Sequence, residues 1–219
     1  MHSADHVLHD RRIFTARELA AIPVDDSGGP LVRVMPEPGL VFGPPLPYVW
    51  LRQGTLDRLR QAVRALRGED PIATLQLLYA YRSLAAQREG FAASRARAEA
   101  AHPDWSAEAL DEEAHLFAAL PAVAGHPTGG AVDVTILRAG AALDMGTGYG
   151  DWASPIIFTF AEGLTPAQQA NRALLRRAMV AAGFAPFNGE WWHFSYGDRE
   201  WAAVWDAPAA LYTQVAEPE

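Results

Sequence analysis

Gly125-His126-Pro127-Thr128-Gly129-Gly130-Ala131-Val132-Asp133-Val134-Thr135-Ile136-Leu137 is the stretch on which the fold turns. A glycine-rich turn delivers a histidine, and a β-branched run then predicts a strand over 131–137. Side chains alternate across a strand, so Ala131, Asp133 and Thr135 share one face and Val132, Val134 and Ile136 the other. Further strand-like runs lie at 31–35, 75–81, 156–160 and 191–196. Helix signals fall between them. Thr165 with Pro166 at the first helical position, Gln168 completing a capping box and Gly183 after the last turn predict one helix. Its buried face is Leu174, Leu175, Ala178, Met179 and Ala182. Thr55, Ser83 and Ser106 are read as caps of three more, the first with Leu56, Leu59, Val63 and Leu66 on one face and Gly68 as its stop, the last ending near Leu120. Helices and strands do not alternate strictly, so the expected class is α+β: a mainly antiparallel sheet backed by helices.

The chain has 219 residues, half of them hydrophobic, which suits a single domain that needs no disulfide to hold its core. Residues 1–29 are polar, end in Asp25-Asp26-Ser27-Gly28-Gly29, and are expected to form a loosely ordered leader before one catalytic domain over 30–219. Pro36, Pro38, Pro44, Pro45 and Pro47 predict irregular chain over 36–47. Cysteine is absent, which excludes thiol nucleophiles and Cys-ligated metals. All 18 basic residues are Arg, so Schiff-base chemistry and a phosphate loop that needs its Lys are excluded too. A net charge of −8 argues against nucleic acid as a partner. No apolar run has the length of a membrane helix, and the first residues lack the apolar stretch of a secretory signal, so a cytoplasmic location is expected.

Three segments could carry chemistry. His126 and Asp133 on the decisive stretch supply an imidazole and a carboxylate with small neighbours, two-thirds of a zinc site; the bland alternative for His126 is a surface or hydrogen-bonded histidine. In Asn188-Gly189-Glu190-Trp191-Trp192-His193-Phe194 a turn precedes an aromatic strand with one acid and one imidazole. A double Trp belongs in a core or cleft, and burying Glu190 and His193 there is costly unless they are paired or coordinated. A structural Glu–His hydrogen bond is the competing reading. Residues three apart on an ideal strand face opposite ways, so sharing a site requires the strand to begin at Trp191 or to carry a bulge. Arg82, in Tyr79-Ala80-Tyr81-Arg82-Ser83, is either an ordinary ion-pairing residue or a guanidinium fixed to stabilise an oxyanion. Of the other histidines, His2, His6 and His9 fall in the leader, His115 is read as a helix-surface residue and His102 as a helix end.

His126, Gly129, Ala131 and Asp133 together resemble the zinc motif of the D-alanyl-D-alanine dipeptidases. Glu190-Trp191-Trp192-His193 resembles that family's base-and-ligand motif, Tyr81-Arg82 its Tyr-Arg-Pro motif, and Leu143-Asp144-Met145-Gly146-Thr147 its Met-Gly segment. Ala167-Gln168, Asn171-Arg172 and Gly183-Phe184 match the helix before the last motif, so the likeness spans roughly residues 30–200 in order. The resemblance implies the zinc D,D-peptidase fold, one zinc ion held by His126, Asp133 and His193, Glu190 as general base and acid, and Arg82 stabilising the transition state. It implies a free D,D-dipeptide as substrate, D-alanyl-D-alanine above all. Two other readings stay open: a D,D- or L,D-carboxypeptidase acting on larger cell-wall peptides, and a non-catalytic zinc-binding relative. The chain departs from the family pattern in having Ala124 for a Ser, Ser83 for a Pro, and Gly150 between Tyr149 and Asp151. Tyr149 and Asp151 are the substrate-binding candidates, with Asp151 one place late for the substrate's ammonium end.

Overall fold

The computed structural model describes residues 1–43 and 49–216. Its elements, in chain order, are α1 (Ala4–His9), α2 (Ala16–Ala20), β1 (Leu31–Val34), β2 (Leu40–Phe42), β3 (Val49–Arg52), α3 (Gln53–Glu69), β4 (Ala73–Tyr79), α4 (Leu84–Ala101) and α5 (Ala107–His115). There follow β5 (Ala131–Arg138), β6 (Ala141–Ala142), α6 (Pro166–Ala181), β7 (Ala185–Pro186), β8 (His193–Ser195) and α7 (Arg199–Trp205). The main sheet runs β2-β4-β5-β8-β7, with β6 paired to β5. Only β2 lies parallel to its neighbour, β4, so the sheet is mainly antiparallel. β1 and β3 form a separate antiparallel pair. Among the described residues no helix is long and apolar enough to cross a membrane.

The alternation of β5 organises the interior. Val132, Val134 and Ile136 are fully buried and join Leu59 and Leu66 of α3 and Leu175 and Met179 of α6 in the main core. Each such side chain contributes about 1.5–3 kcal/mol by leaving water. Asp133 and Thr135, on the opposite face, are buried as well. α6 forms with the expected capping box, in which Thr165 and Gln168 exchange bonds with each other's backbone, and Gly183 ends it at φ 86°. The Pro38-Gly39 turn joins Glu37 to Leu40 by reciprocal backbone bonds. Gly39 sits there at φ 92°, where a Cβ would lie 2.6 Å from Val63 Cγ1. Pro44, Pro45 and Pro47 lie outside the described residues.

Four expectations need correction. The first concerns residues 1–29, which are not a loose leader. Two short helices form there, α2 with a Thr15–Glu18 capping box, and Val7, Phe14 and Leu19 enter a second core with Val180, Trp201 and Trp205. Helices this short are stable only through packing, and the segment is tied down by Arg176, which donates to the carbonyls of Val7, Leu8 and Asp10. The second is 156–160, which is not a strand; Pro155–Ile157 is one 3₁₀ turn. Arg172 donates to the carbonyls of Ile156 and Phe158, which takes them away from any ladder. The third is His115, which is not on the helix surface but buried as the last residue of α5, where its Nδ1 accepts from the backbone N–H of Leu120, beyond the helix.

The fourth correction is the start of α3. It begins at Gln53, its first free N–H donating to the Pro30 carbonyl, with no side-chain cap. Thr55 is therefore not a cap but a fully buried residue of the first turn, and its hydroxyl has no partner among the described residues. Removing a buried, unpaired hydroxyl at constant shape should stabilise the fold. Thr55→Val is expected to add about 1 kcal/mol, read as a rise in Tm of about 2–4 °C. A lowered Tm would mean that the hydroxyl is satisfied.

Candidate metal centre

Three neighbouring strands place the polar groups side by side. Asp133 of β5 is the register partner of Tyr79 on β4 and of His193 on β8. A bulge between Leu77 and Tyr79 sets the first pairing. His193 Nδ1 lies 2.9 Å from Asp133 Oδ1. His126, on the 3₁₀ turn leading into β5, puts Nε2 3.5 Å from the same oxygen. Its Nδ1 is 2.6 Å from the Ala80 carbonyl, which can only accept. Nδ1 therefore carries the proton, and the Nε2 lone pair faces the carboxylate. The ligand atoms of His126, Asp133 and His193 all lie within 4.8 Å of one another.

The cluster's charges are interdependent. Burial alone would raise Asp133, but the two adjacent imidazoles hold its carboxyl far below the usual carboxylate range. Burial lowers His126 and keeps it neutral in spite of Asp133. His193 moves the other way: against the effect of burial, the hydrogen bond to Asp133 and its charge push it up to about 9. Tyr149 donates its hydroxyl to Asp133 Oδ2 at 3.0 Å, so both carboxylate oxygens are oriented. Two imidazoles and one fixed carboxylate converging on one point are a donor set that fits a transition metal. The 3.5 Å separation from His126 to Asp133 is close to the roughly 3.3 Å expected between ligands of a tetrahedral zinc.

Glu190 stands beside the cluster for a local reason. β8 begins at His193, not Trp191, because residues 190–193 make a tight turn closed by the His193 N–H on the Glu190 carbonyl at 3.2 Å. The turn removes the strand's alternation and lets both side chains serve one site. The double Trp is buried, as its composition demands. Glu190 Oε1 accepts from Trp152 Nε1 at 2.8 Å and Oε2 from Trp192 Nε1 at 3.0 Å. Burial, reinforced by the Asp133 charge, pushes Glu190 up to about 7.

Arg82 lies just past β4, its backbone N–H aimed at the His126 carbonyl. The guanidinium donates to Gln87 Oε1 at 3.1 Å and stands 4.8 Å from the centre of the Tyr79 ring. Gln87 is itself fixed by a bond to the Ala119 carbonyl. Among the described residues Arg82 has no ion pair, so it is not an ordinary salt-bridging arginine. One cavity is lined by His126, Asp133, His193, Glu190, Arg82 and Trp152.

The two substrate-binding candidates do not line that cavity. Tyr149 is spent on Asp133. Asp151 is exposed and lines a neighbouring depression with Trp152, beyond Gly150, whose φ of 78° turns the chain there. Trp152, Gln87 and Glu200 went unnoticed in the sequence. Glu200, in the first turn of α7, lines the main cavity, and burial followed by repulsion from Asp198 pushes its carboxyl up to about 8. An acid two places after a helix-capping Asp carries no sequence signal of its own.

A family model described as D-ala-D-ala dipeptidase matches residues 45–209. The chain belongs to the D-ala-D-ala dipeptidase family. It is therefore a peptidase, with the mixed α+β architecture that the motif resemblance implied. A curated D-alanyl-D-alanine dipeptidase of Synechocystis is 31% identical over 217 residues, covering 83% of this chain and 87% of that protein. Enzymes of the same name from Streptomyces coelicolor and Escherichia coli are 41% and 39% identical over 73 and 70 residues. Each match covers 32% of this chain and 36% of the relative.

Proposed function

We propose that this protein hydrolyses the peptide bond of a free D,D-dipeptide, D-alanyl-D-alanine above all, in the cytoplasm, using one zinc ion. The carrying observation is a single cavity in which a His-Asp-His cluster, a carboxyl group pushed up to about 7 and a guanidinium with no ion pair among the described residues meet. His126 through Nε2, Asp133 through its carboxylate and His193 through Nδ1 would hold the metal, leaving a position for water. Bound zinc supplies a Lewis acid that lowers the pKa of its water to about 7.

The remaining steps fall to the chain's own groups. Glu190 keeps one lone pair on each carboxylate oxygen engaged by an indole N–H, and a free lone pair takes the proton of the attacking water. A carboxyl poised near 7 returns that proton readily to the leaving amine as the C–N bond breaks, giving two amino acids. Arg82, held by Gln87 and Tyr79, offers fixed positive charge to the oxyanion as it develops. Tyr149 orients the metal-binding carboxylate. Partners that orient ligands typically change metal affinity 10–100-fold, so Tyr149→Phe is expected to weaken zinc binding by about that factor in a chelator competition. Unchanged affinity would leave Tyr149 with packing alone.

The proposal is tested by incubating zinc-loaded protein with D-alanyl-D-alanine and, separately, with a pentapeptide ending in that pair. Release of D-alanine from the dipeptide, lost on chelation and restored by zinc, is expected. Cleavage of the pentapeptide with the dipeptide left intact would replace this reading with a carboxypeptidase, and cleavage of neither would remove it.

A further inference from the structure

A second cavity lies between α1 and α6, and Arg11, Arg172, Arg176 and Arg177 all line it. No acidic residue is among its lining residues. Arg177 has a partner, Glu69, at 2.6 Å. The others do not. Arg172 and Arg176 are only 4% and 5% exposed, a degree of burial at which a cation normally has a carboxylate. Instead Arg172 donates to the carbonyls of Met145, Ile156, Phe158 and Thr159. Arg176 donates to the carbonyls of Val7, Leu8 and Asp10 and to Asn188 Oδ1. Every one of these acceptors is neutral.

A guanidinium has five N–H groups, so among the described residues each of these two retains one after its four bonds. Arg11 is exposed, and its Cζ stands 4.6 Å from the centre of the Phe160 ring. Arg176 stands 4.9 Å from the same ring centre. Asp10 and Asp144 attract Arg176 and Arg172 through space, but neither forms an ion pair with them and neither lines the cavity. Burial pushes both guanidiniums down to about 10, a sign of charge carried without full compensation. This concentration of cations is the more unusual in a chain of net charge −8.

We propose that the cavity between α1 and α6 binds a phosphate-type oxyanion, held by Arg11 together with the spare N–H groups of Arg172 and Arg176. A phosphate monoester carries a charge of about −1.5 to −2 at neutral pH and several acceptor oxygens, which matches three uncompensated guanidiniums. A simple carboxylate brings one charge and one planar pair of oxygens. The site uses none of the groups assigned to hydrolysis, and it stands or falls independently of the dipeptidase reading.

The test is calorimetric titration of the full-length, zinc-loaded protein with inorganic phosphate, methyl phosphate and acetate at low ionic strength. Saturable binding of one phosphate or methyl phosphate per chain is expected, with acetate at least tenfold weaker and affinity falling as salt is raised. Tighter methyl phosphate would identify a phosphate monoester as the ligand, and tighter inorganic phosphate the free ion. Arg11→Gln should weaken binding at least tenfold, and Arg11→Glu should abolish it. Arg11 is exposed and, among the described residues, forms no hydrogen bond or ion pair, only its contact with the Phe160 ring, so both variants should fold with a Tm close to wild type. Absence of saturable binding, acetate binding as tightly as phosphate, or Arg11 variants that bind like the wild type would each overturn the proposal. The last result would place the anion elsewhere, such as on the metal.

Discussion

Glu190→Gln is expected to lower kcat for D-alanyl-D-alanine by about 10²–10⁴-fold while one metal ion per chain is retained. The amide has nearly the shape of the carboxyl group but cannot take a proton from water at neutral pH. It also offers one acceptor oxygen where Glu190 offers two, and both of those are engaged by indole N–H groups. Trp192 is fully buried and needs its acceptor, whereas Trp152 is 46% exposed and can turn its N–H to water. The variant should therefore fold, with the amide oxygen toward Trp192 and Trp152 released. Initial rates measured beside metal content give the answer. A rate within tenfold of wild type, with metal bound, would show that another group moves the proton.

The second large effect is expected at Asp133. Asp133→Asn should bind less than about a tenth of the wild-type metal after dialysis and show no detectable hydrolysis. Its carboxylate is the member of the cluster that touches all the others: His193 and His126 on Oδ1, Tyr149 on Oδ2. An asparagine removes the negative charge that balances a divalent ion and leaves one acceptor for three neighbours. Metal analysis with a thermal melt separates loss of the ion from loss of the fold. Full metal content in a folded Asp133→Asn variant would mean that the His-Asp-His cluster is not where the metal sits.

What could be read in the sequence was what depends on near neighbours. The capping box of α6 is decided within four residues, and Thr165 and Gln168 perform it as expected. The cap of α4 at Ser83 is equally local. His126 and Asp133 could be paired because a turn and a strand of known period connect them. Failures came where a distant residue decides. Residues 156–160 have strand-like composition, but Arg172, on α6, claims their carbonyls. Thr55 has the chemistry of a cap, but Pro30 supplies the acceptor two residues earlier. Polar residues 1–29 hide Val7, Phe14 and Leu19, three apolar anchors whose partners lie near the other end of the chain. Tyr149 and Asp151 are candidates only through the family resemblance, and the path of the backbone through Gly150 sends them to different places. Trp152 was invisible because its partner, Glu190, is 38 positions away.

Residues 147–152 act as one piece. Thr147 receives the Trp191 indole N–H, Tyr149 donates to the Asp133 carboxylate, and Trp152 donates to the Glu190 carboxylate. One span thus holds the proposed metal ligand and the proposed base simultaneously. Lengthening or shortening it by a residue would detune both together, whereas exchanging the side chain of Asp151 would disturb neither. This edge should consequently tolerate point replacements at Asp151 better than insertions or deletions.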